Sequence, residues 1–397
     1  MLISRSLFFG GLLTLITITT LLLSCSTHIR VIRYGHPNID DYKIFVNDTV
    51  RKGIVSYNIP KSNEVYYRLD TIKLKHPISG NLIKLEDYLI QTQTKAFLII
   101  QNDTLVYERY FDDYSRSSIH CTFSVSKSII SIIAGAALQA YPNLQINEPI
   151  TTYIPELADK HAYFQKLTLN DLFAMKSGLS YSTFNNWTDV FCDNNMIYYT
   201  KSQKKYISNS SFKYKPGEKR QYKAYDPILV AWALENILEK KISDFFSEAV
   251  WKKIGAEYDA YWSVDKKSGL IKASSSFHCT AIDLAKIGLL YLNEGRHQTT
   301  DIIAKSWIKN TVGVEIFREQ KPVIDTWWQP SQTFFWWFST LPPIGDYYAD
   351  GHKGQFLYIN PSSKVVIVKF SDVGDEFHDM PFRKIAESLD FWTENKK

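Results

Sequence analysis

The sequence predicts an α+β protein whose antiparallel sheet is assembled from both ends of the chain, with a largely helical lobe inserted between them. Three observations carry this. Two apolar runs meet at Asn102-Asp103, and two more flank "NPSSK" at residues 360–364. Between these hairpin signals, residues 144 to about 255 alternate short helical patterns with loops.

The elements follow in order. Arg5 precedes an apolar stretch from Leu7 to Leu23, then Ser24 and Cys25. The stretch is short for a spanning helix, and its flanks suit an export signal. Its "LLSC" end resembles a bacterial lipoprotein signal, which implies lipidation of Cys25 and a chain anchored to a membrane in the cell envelope. An uncleaved anchor or plain secretion are the alternatives. Residues 26–85 read as a tether and an irregular wrapping segment, and residues 86–397 as the folded domain. "AFLIIQNDTLVYERYF" is the first hairpin, and "SKSIISIIAGAALQA" is a buried helix whose Ala134–Ala137 stretch allows close packing. In "TLNDLFAMKSGL", Thr168 or Asn170 is the cap and Gly178 the stop. Asp226 and Pro227 open a further helix, as does Thr280, and "MPFRKIAESLDFWTE" closes the chain.

Composition excludes several classes. The net charge of +5 is spread along the chain, which argues against a nucleic-acid binder. The four cysteines and nine histidines form no CxxC and no HExxH, so neither a metal nor another cofactor is expected. His120 beside Cys121 and His278 beside Cys279 read as strand neighbours facing opposite ways. Trp187, Trp327, Trp328, Trp336 and Trp337 are candidates for a cleft or for the core.

Ser-x-x-Lys occurs five times, beginning at Ser124, Ser202, Ser210, Ser263 and Ser306. Residues three apart on a helix share a face, so the lysine can take the serine's proton if burial keeps its amine neutral. Only Ser124 leads into a strongly apolar helix; the other four sit in polar or surface-like stretches. Ser126 has Ile129 three places on and is a polar member of the first turn.

"FSVSKS", "LTLNDLFAMKSGL", "PGEKRQYKAYD", "FHCTAIDLAKIGLLYLNEGR" and "DGHKGQFLYINPSSKVVIV" occur in this order from about Asp41 to the C-terminus. Together they resemble the serine beta-lactamase and penicillin-binding-protein superfamily, and within it the class C beta-lactamase-related esterases and 6-aminohexanoate-dimer hydrolases. The resemblance implies a beta-lactamase/transpeptidase-like fold, with Ser124 as the acylated nucleophile and Lys127 as its base. Tyr222, after the Pro216-Gly217 turn, would shuttle the proton, with Tyr225 the competitor. Ala224 stands where an Asn or Ser is common. His352-Lys353-Gly354 fits a third motif on an edge strand, where Gly354 would let substrate approach. The Gln355 and Ser124 N–H groups would form the oxyanion hole. His352 in place of a lysine removes a permanent positive charge, which suits esters or amides better than a carboxylate-bearing beta-lactam; the substrate expected is a small ester or amide, with a peptide fragment and a beta-lactam as the further alternatives. A non-catalytic lipoprotein that binds peptides or a partner in the same cleft is the rival reading.

Overall fold

The computed structural model describes residues 27–62, 69, 71–75, 79–141, 144–183, 189–313, 331–338, 345–374 and 380–394. Cys25, Trp187, Trp327 and Trp328 lie outside them.

The helices are α1 (Thr27–Tyr34), α2 (Leu85–Gln91), α3 (Val125–Ala140), α4 (Ile150–Tyr153), α5 (Leu169–Phe173), α6 (Asp193–Tyr199), α7 (Gln203–Ser208), α8 (Tyr225–Leu238), α9 (Ile242–Phe246), α10 (Ala281–Leu292), α11 (Lys305–Val312) and α12 (Met380–Glu394). The strands that matter here begin with β1 (Val46–Val50), β2 (Lys73–Lys75), β3 (Leu82–Lys84), β4 (Thr94–Gln101), β5 (Thr104–Tyr110) and β6 (His120–Cys121). They continue with β7 (Ala260–Val264), β8 (Phe277–Cys279), β9 (Arg296–His297), β10 (Thr300–Asp301), β11 (Ser331–Thr333) and β12 (Trp336–Phe338). The last three are β13 (Tyr347–Gly351), β14 (Gln355–Asn360) and β15 (Val365–Ser371).

The main sheet has the order β11-β12-β13-β14-β15-β4-β5 and joins the two ends of the chain through the antiparallel β15–β4 pair. Both its faces are covered, and alternation along each strand divides the side chains between two cores. On β4, Ala96, Leu98 and Ile100 enter the larger core with α3 and α10, whereas Phe97 and Ile99 enter a second core with α2 and α12. Asn102 and Asp103 form the β4–β5 turn with φ of 48° and 58°, a backbone state these two residues tolerate well.

Packing on the larger core depends on small residues. A Cβ on Gly135 would lie 2.3 Å from Trp307, whose indole N–H donates to Ser131 O at 3.1 Å. This is the close approach that the Ala134–Ala137 stretch predicts for α3. Thr168 caps α5 in a reciprocal capping box with Asp171, and Thr280 caps α10. Asp226 differs from expectation. α8 begins one residue earlier at Tyr225, and Asp226 turns inward to accept the Ser177 N–H at 3.4 Å.

The N-terminal segment is more than a tether. Tyr34 of α1 stacks on Tyr199 of α6, and β1 pairs with β7 in a second sheet of order β1-β7-β8-β6. Polar side chains hid this strand in the sequence, because "VNDTV" buries fully only Val50. Ser263 also departs from expectation. It is fully buried in β7 and bonded to His278 Nε2 at 2.9 Å, not part of a helical Ser-x-x-Lys.

Candidate active site

β6 delivers the chain directly to α3. Thr122 N–H and Oγ1 both donate to Phe277 O at 2.9 Å, and Ser126 Oγ accepts the Phe277 N–H at 2.9 Å. Ser126 is therefore a brace between α3 and β8, as its polar first-turn reading suggested. Phe123, immediately before the candidate nucleophile, has φ of 46°. A bulky residue in the left-handed region is strained, and its burial in contact with the His352 ring, 5.4 Å between centroids, holds it there. The sequence carries no sign of this sharp entry.

Ser124 occupies the cap position of α3. The next three N–H groups, of Val125, Ser126 and Lys127, meet the carbonyls of Thr122, Phe123 and Ser124. Lys127 Nζ is 2.9 Å from Ser124 Oγ and donates to Ser274 O at 2.6 Å. Lys127 is 4 % exposed, and burial pulls its pKa down to about 7, with Asp350 opposing the shift. The amine thus has a substantial neutral fraction near pH 7, the condition for accepting a proton. Ser274, distant in sequence, is the partner that no spacing rule could find.

Tyr222 sits in the irregular segment ahead of α8. Gly217, at φ 80°, donates its N–H to Lys176 O at 2.9 Å, and Gln221 N–H donates to Met175 O at 2.9 Å, so the segment is pinned to the loop after α5. The Tyr222 ring centroid lies 4.8 Å from Lys127 Nζ, and an interaction with Ser124 favours the ionised phenol. Although 37 % of the residue is exposed, its hydroxyl end is enclosed, and burial raises its pKa above the usual phenol value. Tyr225 is elsewhere: its hydroxyl donates to Asp193 Oδ1 at 2.7 Å inside the helical lobe. Ala224 is buried at the start of α8 and offers no polar side chain.

Sequence reasoning also missed Arg220. Its guanidinium lies 5.9 Å from the Trp337 ring centroid and donates to Gln332 Oε1 at 3.1 Å, and Tyr222 covers the same indole at 5.4 Å. Trp336, one residue earlier, points the other way and packs in the core at 4.5 Å from Tyr291. Strand alternation thus puts Trp336 in the larger core and Trp337 on the other face, where it packs against the second core and meets Tyr222 and Arg220.

The third motif differs from its expected form. His352, Lys353 and Gly354 are the turn between β13 and β14, interior strands of the sheet, and not part of an edge strand. Gly354, at φ 77°, serves the turn: a Cβ there would meet Val373 O at 3.0 Å. Gln355 starts β14 opposite Gly351, and its side-chain amide donates to Ser371 O at 2.7 Å and Lys353 O at 3.0 Å. Those bonds make it a brace of the turn. The part of the hairpin that touches the nucleophile's approach is Gly351 and His352. A Cβ on Gly351 would lie 2.3 Å from Thr122 O, a backbone atom that has no room to yield. Gly351→Ala is therefore expected to displace β13 from α3 and lower kcat/KM by about 100-fold, the scale of an ångström misplacement. Steady-state assay with a thermal melt separates this loss from unfolding.

A serine at a helix start, with a buried lysine one turn on, under an antiparallel sheet closed from both chain ends, defines a hydrolase of the beta-lactamase/transpeptidase-like fold. The chain belongs to the beta-lactamase family, whose model matches residues 84–389. It is 25 % identical over 325 residues to the 6-aminohexanoate-dimer hydrolase of Paenarthrobacter ureafaciens, covering 79 % of each chain. A Bacillus anthracis protein assigned as a 6-aminohexanoate-dimer hydrolase superposes with a TM-score of 0.74 at 24 % identity, over 90 % of this chain and 94 % of that one. A family VIII carboxylesterase superposes at 0.56 with 15 % identity, over 77 % and 96 %. These proteins share the fold of this chain.

Proposed function

We propose that this protein is a serine hydrolase that cleaves a small ester or amide through an acyl-enzyme on Ser124. The observation that carries the reading is the 2.9 Å contact between Ser124 Oγ and a lysine whose pKa burial draws down to about 7. Neutral Lys127 takes the Ser124 proton as Oγ attacks the substrate carbonyl. Tyr222, in contact with both, passes a proton to the departing alcohol or amine as the C–O or C–N bond breaks. Water then attacks the ester carbonyl, gives its proton back through the same groups, and frees Ser124 and the acid. The Ser124 N–H is one oxyanion donor. For the second, the placement of Gly351 and His352 against residues 122–123 supports the His352 N–H over the Gln355 N–H.

The relatives support both bond types, an amide in the dimer hydrolase and an ester in the carboxylesterase. Intact-mass measurement after treatment with a fluorophosphonate is the direct test. One adduct, mapped to Ser124 and missing from Ser124→Ala, is expected; an unlabelled protein would leave the rival reading, a cleft that only binds. Tyr222→Phe is expected to lower kcat by about 100-fold or more with a small change in KM, because it removes only a proton carrier. Unchanged kcat would remove Tyr222 from the mechanism.

The reading extends to the cell envelope. The apolar Leu7–Leu23 stretch and Cys25 support export and attachment to a membrane at the N-terminus.

A further inference from the structure

Two cavities flank the start of α1, and neither is lined by a residue of the candidate active site. The smaller, about 230 Å³, is bordered by Arg30 and Arg33 of α1 together with Lys201, Lys266 and Lys272, and by one acid, Asp265. Its neighbour, about 680 Å³, shares Lys201 and adds Lys205, Lys267, Thr27 and another acid, Asp193.

Both carboxylates are already satisfied from inside the protein. Asp265 accepts the N–H groups of Gln203 at 3.0 Å, Lys267 at 3.1 Å and Ser268 at 2.6 Å. Asp193 accepts the Ser182 N–H at 2.9 Å and the hydroxyls of Tyr206 at 3.1 Å and Tyr225 at 2.7 Å. Among the described residues, none of the seven basic side chains of this face forms a salt bridge. Arg30 and Lys272 instead stand over the Phe45 ring at 5.4 Å and 4.7 Å. Lys272 is the floor of the smaller cavity, 2 % exposed, with Nζ donating to Tyr198 O at 2.6 Å; burial draws its pKa down to about 7, so the charge of the face rests on the other six basic groups. The face therefore carries an excess of positive over negative groups, which attracts anionic partners.

We infer that the face receives the anionic headgroups of a phospholipid surface. Position decides the occupant. Thr27, the first residue of α1, lines the larger cavity, and Cys25 is only two residues ahead of it, after the apolar Leu7–Leu23 stretch. Two extended residues span about 7 Å. A membrane held at that point therefore lies within roughly one Debye length, about 8–10 Å, of the rim of the larger cavity, which Lys201, Lys205 and Lys267 border. Basic groups so close to an anionic leaflet are attracted to it. Contact here would hold the hydrolase against the membrane in one orientation.

The inference rests on the reading of residues 1–25 as an anchor, and the experiment reads the two separately. Full-length protein is reconstituted with phosphatidylcholine vesicles, alone or with about 30 % phosphatidylglycerol, and its lysines are acetylated and mapped by mass spectrometry. Labelling of Lys201, Lys266 and Lys267 is expected to slow about fivefold or more with phosphatidylglycerol and to recover at about 0.5 M salt. Lys240 and Lys305, on other surfaces, should label equally in both. The triple variant Arg33→Gln, Lys201→Gln, Lys266→Gln should lose the protection at the remaining reporter, Lys267, and keep ester hydrolysis. Equal labelling with both vesicles overturns the proposal. So does equal protection by glycerol phosphate added to phosphatidylcholine vesicles, which would define a soluble phosphate site. Flotation with the neutral vesicles reports the anchor independently: floating without protection removes the headgroup face alone, and failure to float removes the anchor alone, the added anionic vesicles still deciding the face.

Discussion

Ser124→Ala is expected to lower kcat/KM for p-nitrophenyl esters by about 10⁴-fold or more, while the thermal midpoint shifts little. The activity falls because Oγ is the atom that would form the covalent bond. Stability is spared because Lys127 keeps its bond to Ser274 O, and the rest of the α3 entry is held by Thr122 and Ser126. Ser126→Ala is the opposite case, two residues away. It strips the acceptor from the buried Phe277 N–H and costs about 1–3 kcal/mol of stability. Its active-site chemistry should survive. If the two variants lose activity equally, or if Ser124→Ala retains turnover, the nucleophile lies elsewhere.

Lys127→Ala is expected to cost about 10³-fold in kcat/KM, the middle of the range for a positioned base. The wild-type pH profile provides the second readout. The active form has Lys127 neutral, which is the majority form above its pKa of about 7. As pH falls below about 7 the amine protonates, and kcat/KM should drop about tenfold per unit. Asp350 raises the lysine pKa, so Asp350→Asn should move this acid limb to lower pH and leave more activity under mildly acidic conditions. A profile flat from about pH 5 to 9, or a limb that Asp350→Asn moves upward, contradicts a lysine base.

Local features with local causes were legible in the sequence. The β4–β5 hairpin was visible because Asn102 and Asp103 adopt its positive φ values at little cost. α3 was visible because its apolar run is too long for a strand, and Thr168 and Thr280 because a capping hydroxyl needs only the residues just after it. β1 was not, since its pairing partner β7 is more than 200 residues away and its own side chains are half exposed. Glycine was misread for a similar reason. Both Gly351 and Gly354 stand in "GHKG", but only the packing shows that Gly351 is the one pressed against Thr122 O.

The same division runs through the candidate site. Ser124 and Lys127 share a helix face by periodicity alone, so the sequence by itself determined that pair and, through the resemblance, the region of Tyr222. The tertiary structure decided everything that depends on enclosure. The lysine's lowered pKa comes from burial beside Ser274, the strained φ of Phe123 is held by packing that includes His352, and the Arg220–Trp337–Tyr222 stack joins segments more than 100 residues apart. Periodicity is a property of neighbours along the chain, whereas desolvation and close approach belong to neighbours in space, which exist only once the chain has folded.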